Sequence, residues 1–475
     1  MSAAEPSRKW LVLAVVGVGT FMSALDGSIV NISIPQIQAE YGVTIGTVGW
    51  VSTAYLLTIS GLLLTFGRLG DMVGYKPVYN LGYIVFGLAS WLCGVAPSFP
   101  ALVGARVLQG VGAAMLMAIG PALTTTSVSP QERGRALGMV AAATYLGLTV
   151  GPSLGGYITD LWGWHWVFWI NVPVAALGAA LAAAVLPRGE RRGGQRFDLV
   201  GAGLFALGLV SLLLALSRVE EAGWASPEQV GLFALAAGAL VAFVWQEARA
   251  PQPVVPLGIF RNRLFASSFT AAYLQYVVNF MLVFLLPFYL LRFRGFAPRM
   301  AGLILTAQPL TMALTSPLAG ALADRLGTRG LSVAGMLVMA AGIGLMGWIP
   351  ESAPLGRIVA PLVLVGLGAG LFTTPNNSAI MGSVPRDRQG IAAGLLATAR
   401  NVGMVTGVAL AGALFAALQA AGLAAGRGSA EAFLAAFRGT ERVAAALAVL
   451  AALAAAVRAE DRGSALPAGE TAPGR

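Results

Sequence analysis

Read for apolar and polar positions alone, the chain is a succession of long apolar runs broken by short stretches of charge, glycine and proline. A helix that crosses a bilayer needs about 20 mostly apolar residues. The pattern predicts spans near residues 10–33, 46–66, 78–96, 101–125, 135–158 and 166–186, two more near 199–217 and 230–247, and a final set near 265–290, 301–323, 331–349, 357–380, 391–419 and 441–457. Six, two and six make fourteen. The expected organisation is an all-α polytopic membrane protein with a short N-terminal segment over 1–9, a six-helix half over 10–187, and a basic linker over 188–198. Two inserted helices over 199–248, a second six-helix half over 249–457 and a tail over 458–475 complete it.

The two halves repeat. At an offset of 256 residues, Gly110 and Gly112 match Gly366 and Gly368, Ser127-Val128 matches Ser383-Val384, and Gly134, Gly138, Gly147 and Gly151 match Gly390, Gly394, Gly403 and Gly407. An ordered series of this kind over a helix pair and its loop is hard to obtain by accident, even in a chain with 61 glycines. An even number of inserted helices leaves the second half in the orientation of the first, so the repeats are parallel.

Composition agrees with a membrane protein: 57% of residues are hydrophobic and 11% charged, where a soluble domain carries about a quarter charged. The net charge of +10 gives no nucleic-acid patch, because the basic residues are dispersed through short loops. With the N terminus inside, the inner segments hold Arg8, Lys9, Arg68, Lys76, Arg133, Arg135 and the Arg188 to Arg196 cluster, and the outer ones far fewer, which places both termini in the cytoplasm. The outer trio Arg292, Arg294 and Arg299 runs against this trend. Arg8-Lys9 before an apolar run has the shape of a signal peptide, but the run is long and leads into no soluble domain, so it reads as an uncleaved first span. Cys93 stands alone in an apolar run, which leaves no intrachain disulfide.

The polar positions inside apolar runs carry the chemistry. Asp26, in Leu25-Asp26-Gly27-Ser28-Ile29-Val30-Asn31-Ile32-Ser33-Ile34-Pro35, is the only charge between Trp10 and Ile34. A carboxylate there either faces a polar cavity or partner, at a cost of about 2.5–3.5 kcal/mol on insertion, or sits at the headgroups as a helix-end residue. Arg106 and Gln109, three apart, share one helix face. Arg106 needs an acceptor, which is either that acid or a set of backbone carbonyls. In the second half the polar candidates for a substrate cavity are Tyr273, Gln275, Tyr276, Asn279, Gln308, Thr373, Thr374, Asn376, Asn377 and Arg400, with Asn31 and Gln109 from the first half. The span holding Thr373 to Asn377 is expected to be broken by Pro375. The position matching Arg106 is Leu362, and no second-half span centre carries an acid, so charge chemistry is expected in the first half alone.

Several motifs resemble those of the major facilitator superfamily. The loop Gly67-Arg68-Leu69-Gly70-Asp71-Met72-Val73-Gly74-Tyr75-Lys76 and its counterpart Gly320-Ala321-Leu322-Ala323-Asp324-Arg325-Leu326-Gly327-Thr328-Arg329 resemble the family signature G-x-L-x-D-x-x-G-x-[KR]. Met72 and Tyr75 stand where the family often has basic residues. Arg106-Val107-Leu108-Gln109-Gly110-Val111-Gly112 resembles R-x-x-Q-G-x-G, and Gly147-Leu148-Thr149-Val150-Gly151-Pro152-Ser153-Leu154-Gly155-Gly156 resembles the antiporter signature G-x-x-x-G-P-x-x-G-G. With Leu25-Asp26 through Pro35, the aromatic stretch Trp162-Gly163-Trp164-His165-Trp166 to Pro173 and the inserted pair, the whole resembles the fourteen-span EmrB/QacA-like drug/proton antiporters. His165 stands where that branch usually has Arg and reads as an interfacial residue.

The resemblance implies a major facilitator fold in the cell membrane. The implied activity is export of a small lipophilic substrate against protons, with Arg106 tuning proton transfer at Asp26 and the loop motifs latching one state. Burial favours neutral Asp26 and Arg106 favours the carboxylate, the balance a proton-coupling group requires. A dedicated exporter of an endogenous metabolite, siderophore, lipid or antibiotic would share these motifs. A non-transporting sensor would need a soluble signalling domain, and an enzyme would need clustered His, Cys or acids; the chain has one His and one Cys. No cofactor, metal or nucleic-acid partner is implied, and oligomeric state is open.

Overall fold

The computed structural model describes residues 6–129, 132–187, 199–222, 226–249, 257–384 and 389–457. The expected linker 188–198 and tail 458–475 lie outside these residues. The first half contains α1 (Pro6–Ile29), a 3-10 turn (Val30–Ser33), α2 (Ile34–Tyr41), α3 (Ile45–Val48), α4 (Trp50–Val73), α5 (Tyr75–Gly94), α6 (Phe99–Ser127), α7 (Arg133–Trp162), α8 (His165–Trp169) and α9 (Asn171–Val185). The inserted pair is α10 (Leu199–Ala222) and α11 (Pro227–Arg249). The second half contains α12 (Arg263–Phe288) with a π turn (Tyr289–Phe293), α13 (Pro298–Leu326), α14 (Thr328–Met346), α15 (Leu355–Gly382), α16 (Gln389–Ala424) and α17 (Ser429–Ala456). Of the described helices, ten are long and apolar enough to cross a membrane by length and composition alone.

The repeated glycine pairs Gly110/Gly366, Gly112/Gly368 and Gly147/Gly403 make equivalent contacts in the two halves. A Cβ on Gly110 would lie 2.8 Å from the Tyr55 carbonyl of α4, and one on Gly366 would lie 2.3 Å from the Gln308 carbonyl of α13. Gly112 abuts Phe86 of α5 as Gly368 abuts Met339 of α14; Gly147 abuts Phe21 of α1 as Gly403 abuts Tyr273 of α12. Without a hydrophobic drive between helices in lipid, backbones that touch where side chains are absent supply the packing. The two signature loops are likewise equivalent: Gly74, between α4 and α5, has φ 105°, and Gly327, between α13 and α14, has φ 80°, backbone that favours glycine.

The start of α1 and the end of α17 lie at one face of the bundle, the near face. Lys9, at the start of α1, meets Glu132 before α7, whereas the end of α14 meets Arg438 and Arg442 early in α17, at the far face. The close approaches between halves among the described residues gather toward the far face. Gly302 of α13 lies against Pro152 and Gly156 of α7, Gly412 of α16 lies against Gly46 of α3, and Ser153 hydrogen bonds with Thr306.

Three expectations change. The first span does not stop near residue 33 but continues through the 3-10 turn and α2 to Tyr41, since the turn keeps the chain helical up to Pro35 at the start of α2. The last span begins at Ser429 rather than near 441. Its early turns are pinned by Arg438 Nε to the Ile349 carbonyl at 2.8 Å and by Arg442 Nε to the Gly347 carbonyl at 3.0 Å. Pro375 does not break its helix: α15 is continuous from Leu355 to Gly382.

Candidate functional site

Asp26 falls 17 residues after Lys9 and 15 before Tyr41 in one continuous helical path, well inside the span rather than at its end. It is 0% exposed, and Arg106, projecting from the second turn of α6, is 1% exposed. Arg106 Nη1 donates to Asp26 Oδ2 at 2.5 Å, Gln109 Nε2 donates to Asp26 Oδ1 at 2.8 Å, and Asn171 Nδ2 donates to the same Oδ1 at 2.9 Å. Each carboxylate oxygen is therefore satisfied from outside its own helix. Both acceptors considered for Arg106 are used, since its Nε also donates to the Val51 carbonyl at 2.7 Å. The guanidinium lies 4.2 Å from the Tyr55 ring centroid and 5.6 Å from that of Phe168, and those aromatic faces favour a cation while excluding water.

The local sequence explains this convergence. The three-residue spacing of Arg106 and Gln109 aims both at α1. Gln109 Nε2 also donates to Ser90 Oγ at 2.8 Å, tying in α5, and Tyr55 donates its hydroxyl to the Ser23 carbonyl at 3.0 Å, fixing the ring against α1. Asn171 opens α9 just after the break from α8, so its amide turns into the bundle. Asn171, Ser90 and Tyr55 were not anticipated. The signal for Asn171 was present, as an amide at the head of a long apolar run, but only the proximity of α9 to α1 gives it a partner.

The antiporter signature packs directly on this site. Gly147, Gly151 and Gly155 of α7 face Phe21 to Ile32: added Cβ atoms there would lie 2.7 Å from the Phe21 carbonyl, 3.1 Å from the Ile29 amide and 2.6 Å from the Ile29 carbonyl. The other side of α7, at Pro152, Ser153 and Gly156, meets α13 of the second half. One helix thus touches both the segment carrying Asp26 and the contact between halves.

The remaining candidates scatter. Asn31 Nδ2 donates to the Gly27 carbonyl at 3.3 Å and Asn31 Oδ1 accepts from Ser52 at 3.2 Å, and Gln109 belongs to the Asp26 site; neither joins the second-half polar residues. Those form separate pairs: Gln308 with Asn279, Tyr273 with Thr406 at 3.2 Å, and Asn376 with the Ser268 carbonyl at 3.1 Å. Gln275 is buried, Tyr276 and Asn377 are half-buried, and Arg400 Nε contacts Asn401 Oδ1 at 3.5 Å. In the loop motifs, a Cβ on Gly70 would lie 2.1 Å from Ile119 of α6, Gly67 has open space, Lys76 is half-buried and Arg325 is exposed. The side chains of Arg68, Asp71 and Asp324 lie outside the described residues. His165 stacks on Trp164 at 3.9 Å between ring centroids, with its Nε2 3.7 Å from Glu40.

The second half does hold an enclosed acid away from its span centres: with α17 starting at Ser429, Glu441 falls inside the helix, level with the far-face end of α14, and is 0% exposed.

A model of the Major Facilitator Superfamily matches residues 16–297 and again 268–473. The chain is 35% identical over 405 residues to the riboflavin transporter RibZ of Clostridioides difficile, covering 85% of this chain and 87% of that one. It is 36% identical over 409 residues to the puromycin resistance protein of Streptomyces alboniger, covering 85% and 81%. It is 31% identical over 410 residues to the multidrug transporter MdtP of Bacillus subtilis, covering 86% and 76%. Its fold is similar to that of a bacterial homologue of the human lysosomal transporter Spinster, with a TM-score of 0.69 at 15% identity, covering 95% and 97% of the two chains. The two halves with their matched glycine contacts, the buried charge site and these relatives agree, and the chain is a multi-pass membrane transporter of the major facilitator superfamily, not an enzyme.

Proposed function

We propose that the chain exports small lipophilic compounds in exchange for protons, as a fourteen-span antiporter of the EmrB/QacA-like branch in the plasma membrane with its near face and both termini in the cytoplasm. The observation that carries this reading is Asp26, a carboxylate enclosed inside the first half and held by Arg106, Gln109 and Asn171. A charge so placed in a membrane bundle is a functional site by default. Three charge-assisted donors stabilise the carboxylate, and protonation removes the charge that holds Arg106. Because α7 packs on α1 around Asp26 and on α13 at the far face, a change of charge at Asp26 has a direct path to the contact between halves. Contacts at the far face fit an inward-facing state of an alternating-access cycle, in which the halves rock about a central site. Relatives named as a multidrug transporter and as a puromycin resistance protein support export.

The riboflavin transporter among the relatives favours a second reading, a dedicated carrier of one native metabolite. Ethidium efflux from energised vesicles, recorded with the pH change on drug addition, separates the two. Drug-induced proton movement that disappears in Asp26→Asn is the expected result. Efflux that persists with its proton movement in that variant overturns the role of Asp26, and the absence of any movement with lipophilic cations supports the dedicated carrier.

A further inference from the structure

Arg400 is the one basic residue of α16 and lies eleven residues, about three turns, inside that helix from its near-face end. Helical spacing fixes the direction in which it points. Gly403 and Gly407 turn toward α12: an added Cβ on Gly403 would lie 2.7 Å from the Tyr273 carbonyl, and one on Gly407 would meet the Val277 carbonyl. Val408 and Gly412 turn toward Gly49 and Gly46 of the first half. At 3.6 residues per turn, Arg400 stands between these two lines and about two turns closer to the near face than Val408. The direct approaches between halves lie toward the far face, so on their near side the half-buried guanidinium borders the angle between α12 and the first half.

Among the described residues nothing neutralises it. Arg400 Nε donates to Asn401 Oδ1 at 3.5 Å, and the guanidinium forms no ion pair there. The described acids of the first half are engaged elsewhere: Asp26 with Arg106, Glu132 with Lys9, Glu40 with Trp164 and Asp160 with Arg299. Asn401 is 3% exposed, and its Nδ2 has no hydrogen-bond partner among the described residues. A guanidinium and a buried amide N–H thus stand side by side as donors without an acceptor. Arginine does not escape such a place by losing its proton, and a charge within a membrane bundle marks a functional site by default. The planar guanidinium fork matches a carboxylate, and a hydrogen bond between two charged groups is stronger than one to a neutral group. We infer that Arg400 and Asn401 form a subsite for an oxyanion of the transported compound, a carboxylate carried on an apolar body. Lipophilic acids are then held more tightly than neutral compounds of the same shape. This deepens the export reading and rests on it for its physiological use, but not for its test.

The test is equilibrium binding to the purified full chain in detergent at neutral pH, with no gradient, of naphthylacetate, phenylbutyrate and decanoate, each compared with its neutral amide. The native protein is expected to hold at least one of the acids about tenfold more tightly than its amide, the margin of a hydrogen bond to a charged group. In Arg400→Gln the preference should fall to near unity while amide binding is retained, which also shows that the variant is folded. Arg400→Lys keeps the charge but loses the fork and should keep part of the preference; Asn401→Ala should reduce it. Acids bound no better than amides by the native protein, or a preference that survives in Arg400→Gln, overturns the inference. Because binding is read without efflux or proton movement, that failure is distinct from failure of proton-driven export.

Discussion

Asp26 and Glu441 are equally buried, but the first half surrounds its carboxylate with donors from α6 and α9, whereas the second half surrounds its carboxyl with apolar packing. The difference teaches that equal depth does not bring equal partners: burying a charged group is costly unless it is paired and hydrogen-bonded, and of these two sites only the first-half one supplies that pairing. The two halves share a glycine scaffold and have diverged in the chemistry mounted on it.

The largest expected effect comes from making Asp26 resemble Glu441. Arg106→Ala strips the carboxylate of its counter-charge and is expected to cost about 3–5 kcal/mol, read as a fall in thermal unfolding midpoint in detergent. Combining it with Asp26→Leu should recover most of that stability while leaving proton exchange absent; no recovery would mean that Arg106 matters through the Val51 carbonyl instead.

A smaller effect is expected at the contact between halves. The Cβ of a Gly302→Val variant would lie 2.3 Å from the Pro152 carbonyl, so α7 and α13 must separate. Hydrogen exchange should then rise around Asp26, against whose helix α7 packs, more than around Glu441, whose helix packs on α12, α14 and α16, and an equal rise at both sites would break the comparison. Next, Asn171→Ala removes one of two donors to Asp26 Oδ1, with an expected loss of about 1.5–3 kcal/mol by equilibrium unfolding, since the bond is to a charged group. Asn171→Asp should be worse, because it sets a like charge beside Asp26.

The smallest effect lies at the near face. The hydrogen bond from Lys9, 2.7 Å away, followed by that from Ser129, holds the Glu132 carboxyl below its ordinary value. A depressed carboxyl contributes stability above its unfolded value and loses it as pH falls through the folded one. Lys9→Ala should therefore lower the unfolding midpoint slightly at neutral pH, with the difference from the native protein vanishing as pH falls through and below the ordinary carboxylate range, so that the acid limb flattens.

Much of this could be read from residue order. Apolar runs long enough to span a bilayer dictate helices, because backbone polar groups in lipid must be satisfied within the segment. The 256-residue offset of the glycines gave the parallel repeat, and the three-residue spacing of Arg106 and Gln109 pointed both at one neighbour. The lone acid of the first span was legible as an anomaly in an apolar run. Helix ends were less legible: residues near 427–438 look like a loop, and only the carbonyls that Arg438 and Arg442 find at the end of α14 show that they belong to α17.

What the sequence determined by itself was the membrane class, the repeat and the acid with its basic partner, since periodicity and the cost of burying charge act along a single helix. Only the tertiary structure decided that Asn171 and Ser90 complete the site, that α7 links it to the second half, and that Glu441 is enclosed without a donor. Those facts depend on which helices are neighbours, and neighbour choice arises from close backbone packing at glycines many residues apart.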